Sequence, residues 1–220
     1  MQNSNSADIN KWTEEKHVKD YLEKMADNVP QKNELIKMLL EEVPSNVNHV
    51  LDLGTGDGRL LWLVLQKNPN AKGVALDFSD HMLKRAQKRF ENNKSVEVIK
   101  HDLNEPLPKN RWENFDLVIS GLAIHHVVHP RKKELYTEIF EILKPNGVFL
   151  NMEHVASATE ELHQKFLTAV GLTPETDDPS NKLLDVCTQL DWLRQIGFTH
   201  VDCQYKWLEI AILTATKAKK

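Results

Sequence analysis

The chain is predicted to fold as an α/β domain, a doubly wound parallel sheet with helices on both faces. Three observations carry that expectation. Short apolar runs alternate with segments of helical periodicity; a glycine-rich turn directly follows the first run and opens a helix; and a carboxylate closes the second run.

The elements follow in order. Leu35, Ile36, Leu39, Leu40 and Val43 recur at helical spacing, predicting an amphipathic helix over 31–43 that Pro44 stops. A weaker helix is expected over 12–26. HVLDL (49–53) reads as a buried strand, RLLWLVLQK (59–67) as a helix and AKGVALD (71–77) as the second strand. Ser79 caps a helix carrying Met82, Leu83, Ala86 and Phe90 on one face. SVEVIK (95–100) and FDLVIS (115–120) are the third and fourth strands. Pro130 suits the first position of a helix reaching Leu143, with Leu135, Ile139 and Ile142 inward. Pro145-Asn146-Gly147 then turns the chain into a fifth strand, VFLNME (148–153).

Simple alternation ends there. Ser157 and Glu160 stand at capping-box spacing before a helix with Leu162, Phe166 and Val170 that stops at Gly171. The turn-rich segment TPETDDPSNK (173–182) follows, then a helix starting at Asp185 or Thr188 and ending at Gly197, and strands over 200–206 and 208–215. A helix and loop inserted after strand five stand above the C-terminal edge of the sheet, where open α/β sheets bind ligands. That placement suggests a lid or substrate wall, with a surface excursion as the alternative.

Composition narrows the function classes. With 220 residues and 40% hydrophobic content, one domain can bury its own core. The net charge of −4, from 28 basic and 32 acidic residues, offers no global field for nucleic acid or an anionic membrane. Cys187 and Cys203 make no disulfide framework or metal motif. The N-terminal segment reads as polar rather than as a secretory signal, and no apolar run approaches the ~20 residues of a membrane span. A cytoplasmic location is expected.

The chemistry lies in Leu51-Asp52-Leu53-Gly54-Thr55-Gly56-Asp57-Gly58. Glycines there allow a tight turn and close approach of a ligand, and the helix behind offers its N–H groups. Asp77, at the end of the next strand, suits both ribose hydroxyls of an adenosine. A dinucleotide fingerprint needs its third glycine at 59, where this chain has Arg59, and no G-x-x-x-x-G-K-[ST] loop is present. The cofactor is therefore a nucleoside of another kind.

LDLGTGDGR resembles motif I of class I S-adenosylmethionine-dependent methyltransferases, VALDFSDHML motif II, HDLNEPLP motif III, FDLVISGLAIHHV motif IV, and LKPNGVFLN the last common motif. The resemblance runs from 48 to 154 and more loosely to the C-terminus. It implies a Rossmann-like seven-stranded sheet of order 3-2-1-4-5-7-6, last strand antiparallel, with S-adenosylmethionine as cofactor. It further implies a single domain: a helical cap over 1–45, a cofactor-binding core over 46–156, an inserted lid over 157–184, and a closing helix and hairpin over 185–220. Residues 21–44 resemble the N-terminal helices of small-molecule members and of a relative that carboxymethylates tRNA wobble uridine.

Carried over by position, the resemblance places Gly54 and Gly56 against the methionine part, with Asp52 helping to hold its amino group. Asp77 takes the ribose hydroxyls, Phe78 and Met82 flank the adenine, Asp102 accepts from the adenine amino group beside Leu103, and Ser120 and Gly121 lie under the sulfonium. Each has a plainer alternative: loop orientation for Asp52, core packing for Met82, turn formation for Asp102. A sulfonium is already an activated leaving group, so alignment of an acceptor N, O or S and exclusion of water suffice, with a base only where a proton must leave. His125 and His126, past strand four, are candidate bases, as are Glu153 and His154; pocket lining is the alternative. A metal held by His125, His126, His129, Glu153, His154 and His163 is weighed and not expected, because 125–129 reads as a loop before Pro130. Trp12, Tyr21, Tyr205 and Trp207 are candidate walls for an acceptor, or core packing.

Ser120-Gly121-Leu122-Ala123 lacks the Pro-Pro-aromatic sequence of exocyclic-amine methyltransferases, which favours a small-molecule acceptor over nucleic acid. The expectation is a methyltransferase acting as monomer or homodimer. A tRNA (carboxy)methyl-transfer enzyme and a non-catalytic cofactor-binding module are the alternatives.

Overall fold

The computed structural model describes residues 32–108 and 114–219. Helix α1 (Lys32–Glu42) precedes β1 (His49–Leu53), α2 (Arg59–Lys67), β2 (Lys72–Asp77), α3 (Asp80–Phe90), β3 (Val96–Lys100) and β4 (Phe115–Gly121). A 3-10 turn (Ile124–His126) leads into α4 (His129–Ile142), β5 (Leu143–His154), α5 (Glu160–Ala169), α6 (Val186–Ile196), β6 (Phe198–Trp207) and β7 (Ile210–Lys217). The expected helix over 12–26 lies outside the described residues.

All strands join one seven-stranded sheet of order β3-β2-β1-β4-β5-β7-β6, parallel except where β7 runs antiparallel to β5 and β6. Strands buried on both faces need no polar alternation, which is why β4 reads as a continuous apolar run. Leu117 and Ile119 join the core under α1, α2 and α5, while Phe115 and Val118 join the core under α4 and α6. The register sets Leu53 beside both Leu76 and Ser120, so β1, β2 and β4 end together at one edge.

Several boundaries move from expectation for local reasons. Strand β5 begins at Leu143 rather than 148, because Leu143 already pairs with Phe115 before the register jumps to Leu117↔Val148. The Pro145-Asn146-Gly147 turn is absorbed as that irregularity, with Asn146 at φ 63. The cap of α5 is Thr159, which accepts from the Leu162 N–H at 3.3 Å, and not Ser157. Ser157 spends its hydroxyl on Glu209. Segment 125–129 is not wholly a loop, since His125 and His126 sit in the 3-10 turn and His129 begins α4. Asp185 caps α6 by accepting from the Thr188 N–H at 2.8 Å. Lys217, at the end of β7, donates to the carbonyls of Glu141 and Leu143.

Candidate active site

The three coincident strand ends open into a cleft enclosing about 1150 Å³, its mouth included. Its first wall is the turn after β1. There Gly54 has φ +68, and a Cβ would stand 2.2 Å from that of Ala123, so only glycine lets the β1 and β4 turns close together. The Gly56 N–H donates to Asp77 Oδ2 at 2.9 Å and the Ser79 N–H to Oδ1 at 2.8 Å, which ties the glycine turn to the start of α3. Burial pushes the Asp77 carboxyl up, and those backbone N–H groups pull it back toward the ionised form. Phe78 and Met82 line the cleft next to it.

Asp102 and Leu103 form the next stretch of wall. Asp102 Oδ1 accepts from both the backbone and the side-chain nitrogen of Asn104 at 2.9 Å, a turn that leaves Oδ2 outside that pair of bonds. Distant support holds this loop. Arg131 of α4 forks onto Glu138 at 2.9 and 2.7 Å and donates to the carbonyls of Leu103 and Glu105, while Glu138 accepts from the Leu107 N–H. A planar guanidinium with five donors can make all four contacts at once.

Asp52 and Ser120 stand behind this wall. The Ser120 hydroxyl donates to the Leu53 carbonyl at 2.9 Å, stitching β4 to β1, and the side chain is fully buried. Asp52 Oδ2 accepts from the Thr55 hydroxyl at 2.6 Å, but Oδ1 is buried with no partner. Burial raises its pKa to about 7. A buried carboxylate oxygen without a donor is costly.

The opposite wall runs from Gly121 to Val127. Leu122, at φ 55, is in the left-handed region, costly for leucine, and its N–H donates to the Met152 carbonyl at 2.7 Å. His126 lines the cleft, with Nδ1 3.0 Å from the Ser180 hydroxyl. Burial lowers its pKa to about 4, so it is neutral at physiological pH. His125 points elsewhere: its ring is buried, Nδ1 has no partner, and burial holds it well below its ordinary range.

Glu153 does not line the cleft. It is fully buried, with Oε2 accepting from Asn151 Nδ2 at 2.8 Å and Oε1 3.6 Å from the equally buried Lys132. Burial pushes Glu153 up and Lys132 down. Nor do Tyr205 and Trp207 form an acceptor wall: on β6 they pack against the core, Trp207 lying 6.4 Å from Phe166. Trp12 and Tyr21 lie outside the described residues. Among the described residues, no group of three or more His, Cys, Asp or Glu side chains is arranged to hold a metal. His154 and His163 instead each contact one oxygen of Glu209 at 3.0 Å, and His163 approaches Asp177 at 3.6 Å.

A methyltransferase-domain family model matches residues 45–193. The chain belongs to that family, the class I S-adenosylmethionine-dependent methyltransferases. It is 30% identical over 142 residues to demethylmenaquinone methyltransferase of Chlamydia trachomatis, a match covering 63% of this chain and 58% of that one. A malonyl-acyl-carrier-protein O-methyltransferase of Marinomonas sp. is 36% identical over 115 residues, covering 51% of this chain and 41% of the relative. The chain thus spans between 41% and 58% of those relatives' lengths. In fold it is similar to an O-methyltransferase family protein from Burkholderia thailandensis, with TM-score 0.74 at 16% identity over 96% of this chain and 62% of that one.

The family's cofactor is S-adenosylmethionine, and the residues present fit it. Two turn positions without side chains, a carboxylate at the end of β2 and an orphaned buried carboxylate oxygen at Asp52 match a ligand with a ribose and an ammonium. The sequence motifs did not reveal Ser180, Arg131 and Lys132, which reach the site from far along the chain; a basic residue on an otherwise inward helix face was the one available signal for Arg131 and Lys132.

Proposed function

We propose that this methyltransferase transfers a methyl group from S-adenosylmethionine to a small-molecule N, O or S acceptor by in-line displacement, in the cytoplasm. One observation carries the reading. A single cleft brings Gly54, Gly56, Asp77 and Asp102 together with the apolar turn Gly121–Val127 and one neutral histidine, His126.

In this reading Asp77 accepts from the ribose hydroxyls, and Phe78 and Met82 flank the adenine. Asp102 takes the adenine amino group with Leu103 beside it, and Asp52 answers the ammonium of the methionine part. Bound there, S-adenosylmethionine supplies a methyl group on a sulfonium that departs as a neutral thioether. Leu60, Leu122, Val127 and Met152 line the cleft and exclude water from the attacking atom. His126, neutral because buried, takes up a proton where the acceptor must lose one. His125 backs the His126 ring at a centroid separation of 4.1 Å. Residues 46–156 hold the cofactor and 157–184 bound the acceptor, all within one domain.

Titration calorimetry with S-adenosylhomocysteine tests the cofactor half, with binding in the micromolar range expected of cofactor sites. Labelled S-adenosylmethionine incubated with metabolite extracts, followed by mass spectrometry, tests the acceptor class. Absence of binding by the wild-type protein ends this reading. Label appearing only in tRNA moves the acceptor to nucleic acid.

A further inference from the structure

Segment 173–184, rich in Pro, Asp, Ser and Asn, has the composition of a mobile lid. Its second half is instead clamped to the His125–His129 turn along its length. The Lys182 N–H donates to the His125 carbonyl at 2.7 Å, Lys132 Nζ donates to the Lys182 carbonyl at 3.3 Å, and His129 Nε2 lies 3.0 Å from the Leu183 carbonyl. Ser180 itself is buried, and its N–H donates to Asp178 Oδ1 at 2.9 Å, a turn that sets the corner before it meets anything else. Three contacts to residues 125–132 make a wall, not a flap.

The corner meets the histidine of the cleft. Ser180 Oγ stands 3.0 Å from His126 Nδ1, and the main chain of the same residue also hydrogen-bonds the ring in the sense that favours a proton on it. A carbonyl can only accept, so the Ser180 side of the ring favours N–H over a bare nitrogen. The charged and titratable groups around the ring are Asp178 from the same segment, Lys132 from α4, His154 from β5 and the adjacent His125. Of these only Asp178 is an anion that draws an N–H toward segment 173–184; Lys132 and His154 oppose a second proton.

We propose that Ser180 is a positioning residue for methyl transfer: it holds the His126 ring through Nδ1–H, so that the Nε2 lone pair serves the acceptor. The inference rests on the methyl-transfer reading above. The acceptor's proton passes to Nε2 as the acceptor's own electron pair bonds to the methyl carbon and the carbon–sulfur pair stays on sulfur. The imidazolium so formed returns the proton to solvent. With the opposite tautomer Nε2–H would face the acceptor and no proton could be taken. Fixing the tautomer through the other ring nitrogen is how a hydrogen-bond partner governs histidine chemistry.

Long-range proton–nitrogen correlation spectra of the 15N-labelled full-length protein read the tautomer directly, with His126→Gln assigning the resonances and S-adenosylhomocysteine as the added ligand. Wild type is expected to be predominantly Nδ1–H. Ser180→Ala is expected to change the tautomer ratio about fivefold, the effect of one hydrogen bond of ~1 kcal/mol, and Ser180→Thr to restore it. Calorimetric affinity for S-adenosylhomocysteine stays equal in all three. A predominantly Nε2–H ring in wild type, or an Ala variant with an unchanged ratio, overturns the proposal. Failure of wild type to bind S-adenosylhomocysteine at all sinks the methyl-transfer reading instead, and the two failures are told apart by calorimetry alone.

Discussion

The two walls of the cleft are built by opposite means. On the cofactor side the contacts are mostly short-range or between adjacent parallel strands: Gly56 to Asp77, Ser79 to Asp77, Thr55 to Asp52. On the side proposed for the acceptor, a turn with a left-handed leucine leads into α4, whose Lys132 forms a fully buried pair with Glu153, and it is braced by a segment some fifty positions away, through Ser180, Lys182 and Leu183. In the proposed reading, binding a constant ligand falls to turn geometry, which a motif can encode. Holding a variable one is assigned to packing between distant segments, which can change without disturbing the first.

If that division is real, damage to the acceptor side costs fold stability while cofactor affinity survives in the molecules that remain folded. Lys132→Met strands Glu153 in the interior. Removal of one partner of a buried pair costs ~3–5 kcal/mol, softened here because Glu153 is already pushed toward its protonated form. Denaturant unfolding should lose about 3 kcal/mol, with S-adenosylhomocysteine affinity within a few-fold of wild type. A large loss of affinity without loss of stability would break the comparison.

Damage to the cofactor side should do the reverse. Asp77→Ala removes the proposed acceptor for two ribose hydroxyls and releases the Gly56 and Ser79 N–H groups, so affinity should fall about a hundredfold, or ~2.7 kcal/mol, by calorimetry. The His126 tautomer should not change.

Asp52 sharpens the picture through pH. Burial raises its carboxyl pKa to about 7, so it is protonated below that value. An ammonium at Oδ1 favours the anion, so binding should release a proton below pH 7. Affinity should weaken by up to tenfold per pH unit as pH falls through the range below that value. Calorimetry in buffers of different ionisation enthalpy counts the proton, and Asp52→Asn should abolish its release.

The smallest effect is expected at His163, which faces Glu209, Asp177 and Glu160. Its carboxylate partners raise its pKa against the opposing effect of burial, so the ion pairs holding α5 to Asp177 and to the β6–β7 turn at Glu209 are present below the folded value and lost as pH rises through it. The unfolding midpoint should therefore decline slightly over about pH 6 to 8 in wild type, and His163→Gln should flatten that slope. An unchanged slope would mean this pairing contributes nothing measurable.

From Val50 to Leu53, Val74 to Asp77 and Leu117 to Ser120, the residues themselves dictated the outcome. A run buried on both faces must be apolar throughout, and a strand that turns into a helix beside a ligand must have glycine where a Cβ would strike Ala123. These demands are local, so they are written in consecutive positions. The C-terminal hairpin was legible for the same reason, whereas the residues offered Asp185 or Thr188 as the helix start and the structure decides for Asp185. The start of β5 was not, because whether Leu143 belongs to a strand depends on Phe115 standing beside it. Likewise nothing in Ser120 or Glu153 discloses that one spends its hydroxyl on Leu53 and the other its charge on Lys132, both away from the cleft. Ser180 is one serine in a turn-rich stretch until folding sets it against His126. Side-chain partners far apart in the chain are chosen by packing, and a hydrogen bond leaves no periodicity behind it. Motif and strand ends therefore determined where the glycine turn meets Asp77, and tertiary contacts alone decided which histidine meets the cleft and what holds it there.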